Sequence, residues 1–214
     1  MASNAYMSGR RAFLSGATRP QAILFSNNAG TLQSGKYVPN GDEWNDFIIL
    51  TDGNRGEISM SNQRIESRQR MVNGNMRSYW IADKLNLSTS WTRIPSRAYS
   101  ESVDFNTSDG QIINDPETYS MYTVDGGAGG VDILNWYEDH PGPFYVFLAY
   151  DKFRINGNEN FNRLDGYNQV LKMYFSSFDY AIEKRGGTNL GNMWTDNKTT
   201  GFDFWNISLS LEEV

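Results

Sequence analysis

Ile58-Ser59-Met60-Ser61-Asn62-Gln63-Arg64-Ile65-Glu66-Ser67-Arg68-Gln69-Arg70-Met71-Val72, then Asn73-Gly74-Asn75, then Met76-Arg77-Ser78-Tyr79-Trp80-Ile81-Ala82-Asp83-Lys84-Leu85-Asn86-Leu87-Ser88-Thr89-Ser90-Trp91 read as two polar-apolar ribbons joined by a turn. Asn-Gly accepts positive φ at both central positions of a type I′ turn, so it is the strongest short hairpin signal between strand-like runs. Neither arm holds a Gly or Pro. Each arm has room for about 14 residues, where ordinary strands hold 3–10. At ~3.3 Å per residue the ribbon reaches roughly 45 Å. A domain of this size has a radius of gyration of roughly 17 Å and cannot cover it throughout. The ribbon is therefore expected to be covered by neighbouring copies of the chain.

Charge agrees with that expectation. If Asn73-Gly74 is a two-residue turn, Arg64 faces Asp83 and Arg70 faces Arg77, a favourable pair and an unfavourable one. From Glu57 to Lys84 there are five bases (Arg64, Arg68, Arg70, Arg77, Lys84) against three acids (Glu57, Glu66, Asp83), or +2. The chain as a whole carries -6, which leaves -8 elsewhere. A basic ribbon on an acidic body is attracted to the body of the next copy. The residues expected at the subunit contact or channel are Arg64, Arg68, Arg70, Asn73, Gly74, Arg77, Asp83 and Lys84.

The chain has 214 residues, read as one domain over 1–214 with an extended polar arm over 1–21 that a neighbour holds. Twelve Tyr, twelve Phe and six Trp favour strands. A pI near 4.8 argues against a general nucleic-acid binder. The absence of cysteine excludes disulfides and thiolate metal sites and fits assembly in a reducing cytoplasm. No apolar run is long enough to span a membrane.

Strands are expected at Ala22–Phe25, Asp46–Thr51, a buried central Phe144–Tyr150, Val170–Ile182 and Phe202–Leu211. In Val170–Ile182, Leu171, Met173 and Phe175 alternate with Lys172, Tyr174 and Ser176. In the last strand Trp205, Ile207, Leu209 and Leu211 form one apolar face opposite Asn206, Ser208 and Ser210. A two-turn helix is expected after the Gly126–Gly130 cluster, with Val131, Leu134, Trp136 and Tyr137 on one face. The fold class is mainly β with α+β character: an antiparallel β-sandwich or barrel with one short helix and a long protruding hairpin.

No catalytic constellation is complete. Asp104-Phe105-Asn106-Thr107-Ser108-Asp109-Gly110 has calcium-loop spacing, but its glycine falls one place late and its twelfth position is Asp115. The Gly126–Gly130 cluster lacks the Lys-Ser/Thr of a phosphate loop. His140 stands alone in a turn, and the adjacent Glu138 and Asp139 point apart, so neither a triad nor a glycosidase pair is assembled. The Asn-x-Ser/Thr sites at Asn86, Asn106, Asn197 and Asn206 are incidental without a secretory signal. Trp80, Trp91, Trp136, Trp194 and Trp205 are expected in the core or at subunit interfaces, not on a sugar-stacking platform. No enzyme activity, cofactor or metal is expected.

Taken together, the long central hairpin, the single short helix and the half-buried final strand Trp205-Asn206-Ile207-Ser208-Leu209-Ser210-Leu211-Glu212-Glu213-Val214 resemble the bacteriophage tail tube fold, across about Asp46 to Val214. Tube proteins, tube initiators and distal tail proteins share that fold. The resemblance implies a virion protein that forms a hexameric ring, with hairpins closing a barrel around a channel. DNA passes through without specific binding, and other tail or baseplate proteins join the ring. One departure is that such channels are expected to repel DNA, whereas this hairpin is basic; Arg64, Arg68 and Arg70 would then face neighbouring subunits. The alternative is a β-sandwich module binding a glycan or receptor through the Tyr and Trp residues between Trp136 and Tyr150.

Overall fold

The structure, a computed structural model, describes residues 20–33, 35–41, 46–98, 122–150, 166–185 and 203–214. The expected N-terminal arm (beyond its last two residues), the calcium-like loop and Trp194 lie outside them. The strands are β1 (Ile23–Ser26), β2 (Thr31–Gln33), β3 (Lys36–Val38), β4 (Phe47–Ile49), β5 (Ser59–Arg70), β6 (Met76–Pro95), β7 (Phe144–Leu148), β8 (Gln169–Arg185) and β9 (Asp203–Glu213). One helix, α1 (Gly130–Asp139), completes the described elements. The chain is thus mainly β, antiparallel, with one short helix and a protruding hairpin.

Seven strands form one antiparallel sheet in the order β4-β1-β7-β8-β9-β6-β5. β2 and β3 make a separate ribbon. The two ends of the sheet differ in character. At the β4-β1-β7 end the strands are short and apolar on both faces. One face joins the large core around Phe25, Ile48, Val146 and Trp136. The other meets Tyr167, with Tyr37 of β3 packed beside it. Both-face burial explains why these runs are continuously apolar.

At the other end the long strands are one-sided. Trp205, Ile207, Leu209 and Leu211 of β9 are all buried, as their alternation predicts. β8 pairs with β9 antiparallel, Phe178 against Leu209 and Tyr180 against Ile207. The expected alternation in β8 breaks at Ser176, an extra residue between the Phe175 and Ser177 rungs. Beyond that bulge Phe178, Tyr180 and Ile182 take the face that Met173 and Phe175 hold before it. In α1 the buried apolar residues are Ile133 and Trp136, not the expected set; Val131 and Leu134 flank them and Tyr137 is exposed. The helix starts on the sheet, with Gly130 at the side chain of Trp205.

The hairpin itself departs from the expected register. Gly74 has φ +81 while Asn73 does not enter the positive-φ region. The Gly74 N–H donates to the Met71 carbonyl at 2.9 Å, and the Met71 N–H to the Asn75 carbonyl at 2.8 Å. That is a three-residue loop ending in a left-handed glycine, not a two-residue type I′ turn. Arg70 consequently lies opposite Met76, and Arg77 opposite Gln69, so the expected Arg70–Arg77 clash does not arise. Ile81 is an extra residue between the Ile65–Ala82 and Glu66–Trp80 rungs, which restores the expected pairing of Arg64 with Asp83.

Candidate functional site

β6 runs past the end of β9. Their last shared rung is Asn86–Glu212, and beyond it β5 and β6 form a bare two-stranded ribbon. From Gln63 to Asn73, at ~3.3 Å per residue, this ribbon projects roughly 33 Å. Its root is braced by the C-terminal strand: the Leu85 N–H donates to Glu213 Oε2 at 2.8 Å, and Lys84 Nζ donates to the Val214 carbonyl.

The bulge at Ile81 decides which side chains share a face, because one extra residue exchanges the two sides of everything beyond it. Asp83 shares the core-side face with Arg64. After the bulge it is Trp80, Ser78 and Met76 that join Glu66, Arg68 and Arg70 on that side. The contacts agree. Arg64 Nε donates to Asp83 Oδ1 at 2.9 Å, Arg68 pairs with Glu66, and the Ser78 hydroxyl donates to Glu66. Hydrogen bonding from Arg64, with a smaller one from Trp80, holds the Asp83 carboxyl below its usual range. The Ser78 hydroxyl and then Arg68 do the same for Glu66.

Of the eight residues expected at the contact, Arg64 and Asp83 pair with each other, Arg68 turns to Glu66 and Lys84 braces the root. Arg70, Asn73, Gly74 and Arg77 cluster at the tip, where Arg70, Asn73 and Arg77 line a shallow depression with Gln69 and Tyr79. Val72 is fully exposed, and Trp80 (63%), Ile81 (62%) and Met76 (60%) are mostly so. Large apolar side chains exposed together at the end of a ribbon favour association.

Among the described residues, two edges of the long strands lack partners. One is the outer edge of β5, at the end of the sheet. The other is β8 from Tyr174 onward, because β7 pairs only with Gln169–Met173. Between these edges lies a polar face. Ser59, Ser88, Ser210 and Ser177 form one row across four strands, and Ser208 stands between Ser90 and Asp179 in the next.

The other candidate sites resolve as structure. Asp125 accepts from the Thr51 hydroxyl at 2.6 Å, the Asp52 N–H at 2.8 Å and the Gly127 N–H at 3.0 Å, which locks the glycine turn. A Cβ on Gly127 would come within 2.6 Å of Thr51 backbone, and one on Gly129 within 2.7 Å of Arg97 N. The helix N-terminus is equally occupied: Val131 N–H donates to Ser96 O at 2.8 Å and Gly129 N–H to Asp132 Oδ2 at 2.8 Å. No space for a phosphate remains there. The Asp132 carboxyl, buried at this junction, is pushed up to about 7 by desolvation. Sequence reading missed this group, since an aspartate three residues into a helix ordinarily faces water.

His140 stacks on Trp136 at 3.8 Å, with Nδ1 on the Trp136 carbonyl at 2.8 Å and Nε2 against Asn27 Oδ1 at 2.6 Å. Glu138 and Asp139 are exposed at the helix end. Of the described tryptophans, Trp91, Trp136 and Trp205 are buried and Trp80 is exposed, so these four form no common platform. Trp136, Phe144, Val146, Phe147 and Leu148 are core residues, which removes most of the surface that a glycan-binding reading needs between Trp136 and Tyr150. Among the described residues no cluster of His, Cys, Asp or Glu is placed to hold a metal ion, and no helix is long and apolar enough to cross a membrane.

No protein-family model matches the sequence, and no curated protein matches it. Among solved structures, a chain from the tail of an empty GTA particle, computed with helical refinement in C6 symmetry, is similar in layout. The match covers 90% of each chain at 8% identity with a TM-score of 0.38. A likeness that loose carries no weight for function.

Proposed function

We propose that this chain is a non-enzymatic structural component of a bacteriophage tail, a tube or tube–baseplate ring of the virion. In this reading it is a single domain that self-assembles into a hexameric ring around a channel for DNA and binds other tail or baseplate proteins. The observation that carries the reading is the bare ribbon beyond Asn86–Glu212, with Trp80 and Ile81 mostly exposed on it. A two-stranded ribbon is marginal in water by itself, and exposed apolar side chains and unpaired edges favour association.

The two open edges suit a head-to-tail contact. β5 of one copy and the free half of β8 of the next are each about 12 residues long and lie on opposite sides of the same four strands. Joining them repeatedly closes a ring if the rotation closes. The helix side of these strands is occupied by the core, which leaves the serine-rich face for the channel. The lysines on this face are Lys84, Lys172 and Lys184, and Lys84 is engaged by the Val214 carbonyl. A wall with few free cations lets DNA pass, because each Lys or Arg on a phosphate adds affinity. Ring size and the presence of DNA are taken from the resemblance of the sequence to the tail tube fold.

Electron micrographs of the concentrated protein test the reading. Closed rings or tubes with a central channel are expected. Monodisperse single copies at every concentration would overturn it.

A further inference from the structure

Resting on the reading that the chain self-assembles, we propose that the hairpin tip of one copy docks on the aromatic shelf beside α1 of a second copy, Arg70 and Arg77 meeting Glu138 and Asp139. Two mismatches within the single chain point to this contact, and each supplies what the other lacks.

The first is at the tip. Residues 67–82 contain three arginines and no acid, while the rest of the chain has 16 bases against 25 acids, or -9. Arg68 is paired with Glu66. Arg70 and Arg77 have no ion-pair partner among the described residues, and Val72, Met76, Tyr79 and Trp80 beside them are exposed. The tip is a cationic apolar knob.

The second is at the helix. α1 has no base in its last turn and ends in Glu138-Asp139, exposed and unpaired among the described residues. The partial negative charge at a helix C-terminus repels carboxylates there. This placement gains nothing within one chain and suits a cation from outside. Next to it an aromatic row continues past the helix. Tyr137 stacks on Phe178 at 4.7 Å, Tyr180 stacks on Trp205 at 5.3 Å, and Tyr180 (52%) and Ile182 (56%) are half exposed. Aromatic faces also receive arginine well.

A charge exchange tests the contact, read by sedimentation of the full chain. One variant carries Arg70→Glu with Arg77→Glu, the other Glu138→Arg with Asp139→Arg. All four residues are exposed, so both should fold. Each variant alone should associate on the order of tenfold more weakly than the native chain or worse, and an equimolar mixture should regain association, since each supplies the complement of the other. The chain has no cysteine, so Met76→Cys in one copy and Tyr137→Cys, beside Glu138, in another should form a disulfide only between copies. Loss in both variants without recovery in the mixture, or native assembly by either variant alone, overturns the proposal while leaving assembly intact. A native chain that stays monomeric removes both. Tip-dependent binding to phosphatidylglycerol vesicles, with assembly unaffected by reversing the tip, would assign the tip to a lipid surface instead.

Discussion

Glu66 lies opposite Trp80, with Ile81 left between that rung and Ile65–Ala82. This single bulge brings Trp80 onto the side of the ribbon that carries Arg64, Glu66 and Arg68, and turns Tyr79 and Arg77 to the other. Both faces of the tip therefore hold an aromatic and an arginine, and neither face is covered by the body of its own chain. A hairpin intended only as a surface loop has no need of either.

The one-sided final strand gives a direct stability test. Trp205 is 7% exposed and packs between Tyr180 and the start of α1. Trp205→Ala is expected to cost about 3–5 kcal/mol, a large part of a typical ~5–15 kcal/mol. Ser208→Ala, on the exposed serine face, should cost well under ~1 kcal/mol. Ser208→Trp, on the face proposed to line the channel, should leave both the melting temperature of the single copy and assembly near native, whereas blocked assembly would show that this face meets another subunit. Equal destabilisation by Trp205→Ala and Ser208→Ala would contradict a one-sided strand.

The reason this strand was legible in the sequence is that one of its faces is buried, so apolar residues must recur at every second position. The first half of β8 was legible for the same reason, and β1, β4 and β7 because burial of both faces makes them apolar throughout. The ribbon tip offers no such constraint. With both faces in water, nothing in the residue pattern fixes the register, and neither the three-residue loop at Gly74 nor the Ile81 bulge leaves a signal. β2 and β3 escaped for a related reason: three residues each and largely exposed, they are joined through Gly35 at φ +79. In α1 the helix was visible but its buried face was misplaced by one position, because Val131, Leu134 and Tyr137 are apolar as well. Nor does sequence show that β7 is too short to cover β8, which is what leaves the second open edge.

Asp132 should make stability depend on pH. Burial moves its carboxyl from the ordinary 3.8 up to about 7, so in that interval the folded chain keeps a proton that the unfolded chain has released. Its contribution is full below about pH 4 and is lost as pH rises through about 7. The lowered carboxyls of Glu66, Asp83 and Glu183 act with the opposite sign; what they contribute is lost only as pH falls below the usual carboxylate range, so the two windows separate. The melting temperature should fall from pH 5 to pH 8 in the native chain and fall much less in Asp132→Asn. An identical fall in both chains would remove Asp132 as the cause.

Absence of catalysis is also expected. The ring nitrogens of His140 are occupied by Trp136 and Asn27, and no nucleophile is placed against them among the described residues. Assays with glycans and peptides should show no turnover. Reproducible turnover that disappears on His140→Gln or Glu138→Gln would establish an active site where we propose none.

The central claim is that the β5–β6 ribbon joins copies of this chain. Sedimentation of the intact chain beside a variant with a shortened Val72–Asn75 turn and four residues removed from each arm tests it most directly. The deleted residues lie beyond the Asn86–Glu212 rung, outside the core, so the trimmed chain should unfold cooperatively like the native one. A ring-sized species, six copies, is expected for the intact chain and a folded single copy for the trimmed one. A trimmed chain that assembles as the intact one does would contradict it.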